Sequence, residues 1–203
     1  MCRNLKTVDV SGWDTSNVMF MHAAFGECES LETLDVSNWN TANVRDFSWM
    51  FDECRNLTVL DVSGWDTSSA ERMDWMFCNC NSVEALDVSG FDTSGVTSML
   101  NMFAGCKQVK QLDVSGFDTS NVTDMNNMFA YCRALRTLNL SSFTTEKVED
   151  MSLMFLTCKN LTALRLDKFT IDESTNVDRM FKNLSKEIQD CVVIISEDSY
   201  YWV

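Results

Sequence analysis

The sequence has no proline, one histidine and only seven glycines in 203 residues. Without proline, and with glycines that mostly recur at a single turn position, there is no disordered or low-complexity stretch to expect. A lone histidine, His22, cannot form the paired imidazoles of a zinc hydrolase. H-E-x-x-H, G-x-S-x-G and a phosphate-cradling glycine loop are all missing, so no catalytic constellation is on offer. No apolar run approaches the roughly 18 residues of a membrane span. Basic residues are also scarce. Sixteen Lys and Arg against thirty Asp and Glu leave a net charge of −14 and a pI near 4.3. Phosphate binding draws its energy from Lys and Arg, so nucleic acids and anionic membranes are the partners this balance argues against.

What the chain does have is period. Cysteines at 2, 28, 54, 80, 106, 132 and 158 are spaced by 26 residues without a slip, so one unit is copied seven times. The unit reads C-x-x-L-x-x-L-D-V-S-G-[WF]-D-T-S-N-V-x-x-M-x-x-M-F-x-x, nearest to consensus in Cys106–Tyr131. A fixed period of this length is the signature of stacked units, none of which buries its apolar face alone. The register is unbroken to Asn183 and leaves no linker. The expected organisation is therefore one domain, a seven-repeat stack over 1–183 followed by a capping segment over 184–203.

Each unit shows two periodicities. Alternation at Leu34 and Val36, with Thr33 and Asp35 pointing outward, reads as a short half-buried strand. Strands are expected around Val8–Val10, Leu34–Val36, Leu60–Val62, Leu86–Val88, Leu112–Val114, Leu138–Leu140 and Leu164–Leu166, in one parallel sheet. Val122, Met125, Met128 and Phe129 then fall on one stripe of a short helix, with Thr119-Ser120-Asn121 as its N-cap. The fold class this predicts is α/β: seven strand–turn–short-helix repeats. Rows of Leu, Val and Trp or Phe, beginning at Leu5, Val10 and Trp13, supply the core, with Met-Phe pairs filling beside them.

The L-x-x-L-x-[VL]-x-x-[WF] run resembles the leucine-rich-repeat pattern with an aromatic in place of the usual asparagine. With L-D-V-S-G-F-D-T-S-N-V-T-D-M-N-N-M-F-A-Y-C at Leu112–Cys132, it looks like the BspA-like leucine-rich-repeat surface proteins of bacteria and some parasitic protists. That resemblance covers about nine tenths of the chain. It implies a curved leucine-rich-repeat solenoid with its parallel sheet on the concave face, secreted or at the cell surface. The implied role is adhesion or recognition of extracellular-matrix or host surface proteins, without catalytic residues or cofactors. A structural spacer with no ligand of its own is the alternative. Repeat seven departs from the pattern at Arg165, Asp167 and Ile171, and Leu184 stands where an eighth Cys would fall. Cys191-Val-Val-Ile-Ile195 is expected to lay one last strand over the core.

The outward rows are the candidate partner-binding positions. Asp9, Asp35, Asp61, Asp87 and Asp113 share one row, continued by Asn139 and Arg165. Three readings of it stand side by side: acceptors for the N–H and hydroxyl groups of their own turns, an acidic surface for a basic partner, or a calcium row. Lys110, Arg136 and Arg165 add positive charge toward the C-terminal end and complete the candidate set. Row cysteines pointing the same way keep their Cβ atoms farther apart than a disulfide wants, so free buried thiols are expected, as are no metal sites. Cys78, outside the row, is the thiol expected to be accessible and reactive. The first repeat has no predecessor, which predicts fraying or end-to-end self-association through Leu5, Val8, Val10 and Trp13.

Overall fold

Cys28, Leu31, Val36, Trp39, Thr41, Val44, Phe47, Met50, Phe51 and Cys54 are all buried. They are also the ends of five tight turns, because residues three apart in a β-turn point to the same side of the chain. The computed structural model describes residues 2–185, 188, 194–196 and 199–201. In the second coil, residues 28–53, and at its junction with Cys54, the turns are closed by N–H donation from Leu31 to Cys28 (3.0 Å), Trp39 to Val36 (3.2 Å), Val44 to Thr41 (2.9 Å), Met50 to Phe47 (3.2 Å) and Cys54 to Phe51 (3.1 Å). Other coils repeat these bonds at 26-residue offsets. The described residues thus form a stack of coils made almost wholly of turns around one large apolar core, with a small second cluster at Cys78, Ala104 and Ala130.

This overturns the expected strand–turn–short-helix solenoid. The segments read as helices carry left-handed residues at two fixed positions. One row is Ala23, Trp49, Trp75, Asn101, Asn127, Leu153 and Arg179; the other, four residues on, is Glu27, Glu53, Asn79, Gly105, Tyr131, Thr157 and Asn183, with φ between 51° and 75° throughout. An α-helix requires φ near −63° at every residue, so it cannot pass through either row. A single positive φ at the third residue of a turn is the geometry of type II. Met21–Ala24 and Phe25–Cys28 are two such turns in succession. Spacing of three is common to a helix face and a run of turns, which is why Val122, Met125 and Met128 suit both.

The same segments carry the densest bonding between coils. Met21, Ala23, Phe25 and Glu27 donate to the carbonyls of Asp46, Ser48, Met50 and Asp52 at 2.7–2.9 Å, and the pattern returns as far as Thr157 to Lys182. On the opposite side, where seven strands are expected, pairing is sparse. Among the described residues only β1 (Thr137–Asn139) and β2 (Ala163–Arg165) form strands there, parallel and in register. Isolated parallel bridges join Thr7, Thr33 and Val59. The Leu60–Val62, Leu86–Val88 and Leu112–Val114 segments bury the expected side chains without forming strands.

Aromatic and threonine rows hold the coils in line. Phe25, Phe51, Phe77, Phe103, Phe129, Phe155 and Phe181 stack with centroids 5.7–6.0 Å apart. Trp39 and Trp65 are buried in a second row, whereas Trp13 at its start is 55% exposed. The Oγ1 atoms of buried Thr41, Thr67, Thr93, Thr119 and Thr145 each donate to a carbonyl of the next coil at 2.8–2.9 Å. At the C-terminal end, Ile194 and Ile195 of the expected last strand fall in β3 (Ile194–Ser196), which pairs antiparallel with β4 (Ser199–Tyr201) in a sheet of its own. Cys191–Val193 lie outside the described residues.

Candidate functional site

The acidic row is exposed, and each member is engaged by its own turn. The Oδ1 atoms of Asp9, Asp35, Asp61, Asp87 and Asp113 accept the N–H of the serine two residues on, at 3.0–3.1 Å. The serine hydroxyl adds a second bond of 2.7 Å to Asp35, Asp61, Asp87 and Asp113. Bonds from the serine hydroxyl and N–H hold the carboxyls of Asp9, Asp35, Asp87 and Asp113 below their ordinary value. Asn139 repeats the contact with Ser141 N–H, and Arg165 turns instead to Asp167 at 2.8 Å. Lys110 pairs with Glu84 at 3.2 Å, and Arg136 is exposed one coil further on. The predicted residues therefore share an exposed side, but their polar atoms converge on turns and neighbours, not on a common point.

A different side of the stack brings groups together. Trp49 and Trp75 occupy the first left-handed row, ring planes 9° apart and centroids at 4.5 Å. They border a recess of about 410 Å³ lined also by Arg72, Asp74, Thr97, Ser98 and Leu100. Arg72 reaches Asp74 at 3.4 Å and Asp46 at 3.8 Å. Asp74 is 6% exposed, and its Oδ1 is buried without a hydrogen-bond partner. The recess sits at a fault in the coil-to-coil pairing. Among the described residues, parallel bridges run Phe20–Asp46–Arg72 and resume as Ser98–Asp124–Asp150–Asn176, with none joining Arg72 to Ser98.

Tryptophan is a costly choice at a left-handed position. Such backbone costs an ordinary residue about 1–2 kcal/mol, and Asn, which fills the row at 101 and 127, tolerates it best. Stacking of the two rings contributes about 0.5–1.5 kcal/mol. The sequence signal was available: aligned by the cysteines, this row reads Ala, Trp, Trp, Asn, Asn, Leu, Arg, and only two coils place a large ring there. Nearby, His22 Nδ1 lies 2.7 Å from Ser48 Oγ, which also bonds Asp46. Ser48 is fully buried, so this trio holds the coils together and presents no nucleophile.

The cysteines are a structural row. Among the described residues all are free, and all but Cys2 are buried. Thiols of Cys54, Cys80, Cys106, Cys132 and Cys158 donate to the carbonyls of Phe25, Phe51, Phe77, Phe103 and Phe129 at 3.0–3.3 Å. Cys78 is not the accessible thiol expected from its irregular place in the sequence. It aligns with Ala104 and Ala130 and is buried with them, 2% exposed. Burial first, and then the charge of Asp52, raise its pKa. Asp52, one coil earlier in that row, is raised from 3.8 to about 6 by burial above all, with Glu53 and Glu27 adding to it.

No helix among the described residues is long and apolar enough to cross a membrane. The profile of a family described as a Mycoplasma protein of unknown function, DUF285, matches residues 1–86 and 72–193. No curated protein and no solved structure matches the chain.

Proposed function

The chain belongs to the DUF285 family, and from that premise and its surface chemistry we propose that it is a non-enzymatic adhesion or protein-recognition module, secreted or carried at the cell surface. The observation that supports this best is the stacked pair of exposed Trp49 and half-buried Trp75 beside Arg72. Tryptophan and arginine dominate the energy of recognition surfaces, and here they stand on a framework ordered by coil-to-coil bonds. The partner class is an extracellular-matrix or host surface protein. A spacer without its own ligand is the second reading, favoured by the way each carboxylate of the Asp9–Asp113 row is occupied within its own turn.

The test is binding to a coated extracellular-matrix preparation, comparing the unaltered chain with the double variant W49A/W75A and with the triple variant D61N/D87N/D113N. Saturable binding that the tryptophan variant loses supports recognition at the recess. Loss in the triple variant alone would move the surface to the acidic row. Absence of binding by the unaltered chain leaves the spacer reading.

A further inference from the structure

We infer that the recess beside Trp75 is a subsite for a neutral sugar ring. The inference rests on the recognition reading and names the chemistry of that site. One face of Trp75 is covered by Trp49 and the ring packs in part against Cys78, Ala104 and Ala130, while the surface it keeps lines the recess with Thr97, Ser98 and Leu100 of the next coil. Its volume, about 410 Å³, falls within the range of roughly 300–1,000 Å³ common to small-ligand sites. A pyranose has an apolar face of C–H bonds and a rim of hydroxyls. The C–H face suits an indole, whose ring carries negative charge on its faces. The rim needs groups that both donate and accept.

Charge narrows the ligand. Arg72 lies between Asp46 and Asp74, so a free anion would meet two carboxylates and a free cation would meet the guanidinium. Neighbouring hydroxyls on one ring can accept from Arg72 and donate to Asp74 together, without bringing net charge. The hydroxyls of Thr97 and Ser98 extend the polar rim. Asp74 Oδ1, buried and unpartnered, is the acceptor a hydroxyl would satisfy once the side chain turns toward a ligand. The missing bridge between Arg72 and Ser98 makes the room.

The experiment titrates maltotriose, cellotriose, triacetylchitotriose, choline and glutamate separately into the full chain up to about 10 mM, by calorimetry and tryptophan fluorescence. At least one sugar should bind saturably. W75A should weaken it by about tenfold or more, D74N should weaken it as well, and W13A, at an exposed ring away from the recess, should leave it unchanged. W75F serves as the fold-preserving partner of W75A, with thermal melts on every variant, and should retain part of the binding. No saturable sugar binding, or binding untouched by both Trp75 variants, overturns the inference, as does preferential binding of choline or glutamate. Matrix binding that needs Trp75 in a chain that ignores all three sugars would sink this inference and leave the recognition reading standing.

Discussion

Replacing Asp52 by Asn should stabilise the protein at neutral pH and flatten its pH dependence. Asp52 is 6% exposed, its Oδ1 has no hydrogen-bond partner, and its carboxyl is raised from 3.8 to about 6. Between those values the folded chain keeps a proton that the unfolded chain releases, so stability falls as pH rises through the window. At 1.36 kcal/mol per pKa unit the loss amounts to about 3 kcal/mol, complete above pH 6 and absent below pH 4. Asn keeps the shape and removes the charge. Urea unfolding across this range should show the unaltered chain losing about 3 kcal/mol relative to D52N, with the two proteins converging at the acid end. The carboxylates of Asp9, Asp35, Asp87 and Asp113, lowered by their serines, act in the opposite sense. They stabilise above their ordinary value, and that contribution is lost as pH falls below it, outside this window. The same holds for Asp14, Asp66 and Asp118, each drawn down by its own serine two residues on. Parallel pH profiles for the two proteins would refute the reasoning.

Single contacts give three more tests. In native conditions a thiol reagent should label Cys2 rapidly and leave Cys28, Cys54, Cys78, Cys80, Cys106, Cys132 and Cys158 protected until the chain unfolds, as peptide mapping can read; rapid labelling of Cys78 would contradict its burial. T93V keeps the shape of a buried side chain but strips the group that accepts from Asp118 N–H and donates to Asp118 C=O. It should cost about 1–3 kcal/mol in urea unfolding, and a neutral result would mean that the threonine row is incidental. G95A should destabilise by about 1–3 kcal/mol, since a Cβ there would meet the Ala70 carbonyl oxygen at 2.7 Å, whereas G12A meets nothing within 4 Å and should melt like the parent.

The core was legible because burial repeats with the cysteines. The rows begun by Leu31, Val36 and Trp39 stay inward whatever backbone carries them. The backbone was not legible, because side-chain spacing reports which residues share a side and not the sign of φ. Asn79, Asn101, Gly105, Asn127 and Asn183 are residue types that suit a left-handed backbone, but Trp49, Leu153 and Tyr131 at the equivalent places do not announce it, so the rows carry a mixed signal. The strands failed for a related reason: Leu60 and Val62 alternate as in a strand, yet they lie between turns that leave little extended backbone to pair. Of the candidate site, the turn-bonded role of Asp35 and its copies was among the readings of the sequence. The Trp49–Trp75 recess was not: its two rings stand out once the row is aligned by the cysteines, but the room beside them depends on an interrupted bridge that no side chain records.

The bonds between coils have one further consequence, for how the chain reaches its native state and how it can change length. From Met21 to Asp46 through Thr157 to Lys182, each links residues 25 apart, so no contact of this kind requires closing a longer loop than any other. Folding can then proceed as a zipper that starts at the best-formed pair of coils and adds neighbours one at a time. Contact order relative to length falls as coils are added, so a longer array need not nucleate more slowly than a short one. Excising 26 residues between equivalent cysteines would rejoin like to like. Coil number is thereby free to drift by unequal recombination, while the rows that line the core keep their register.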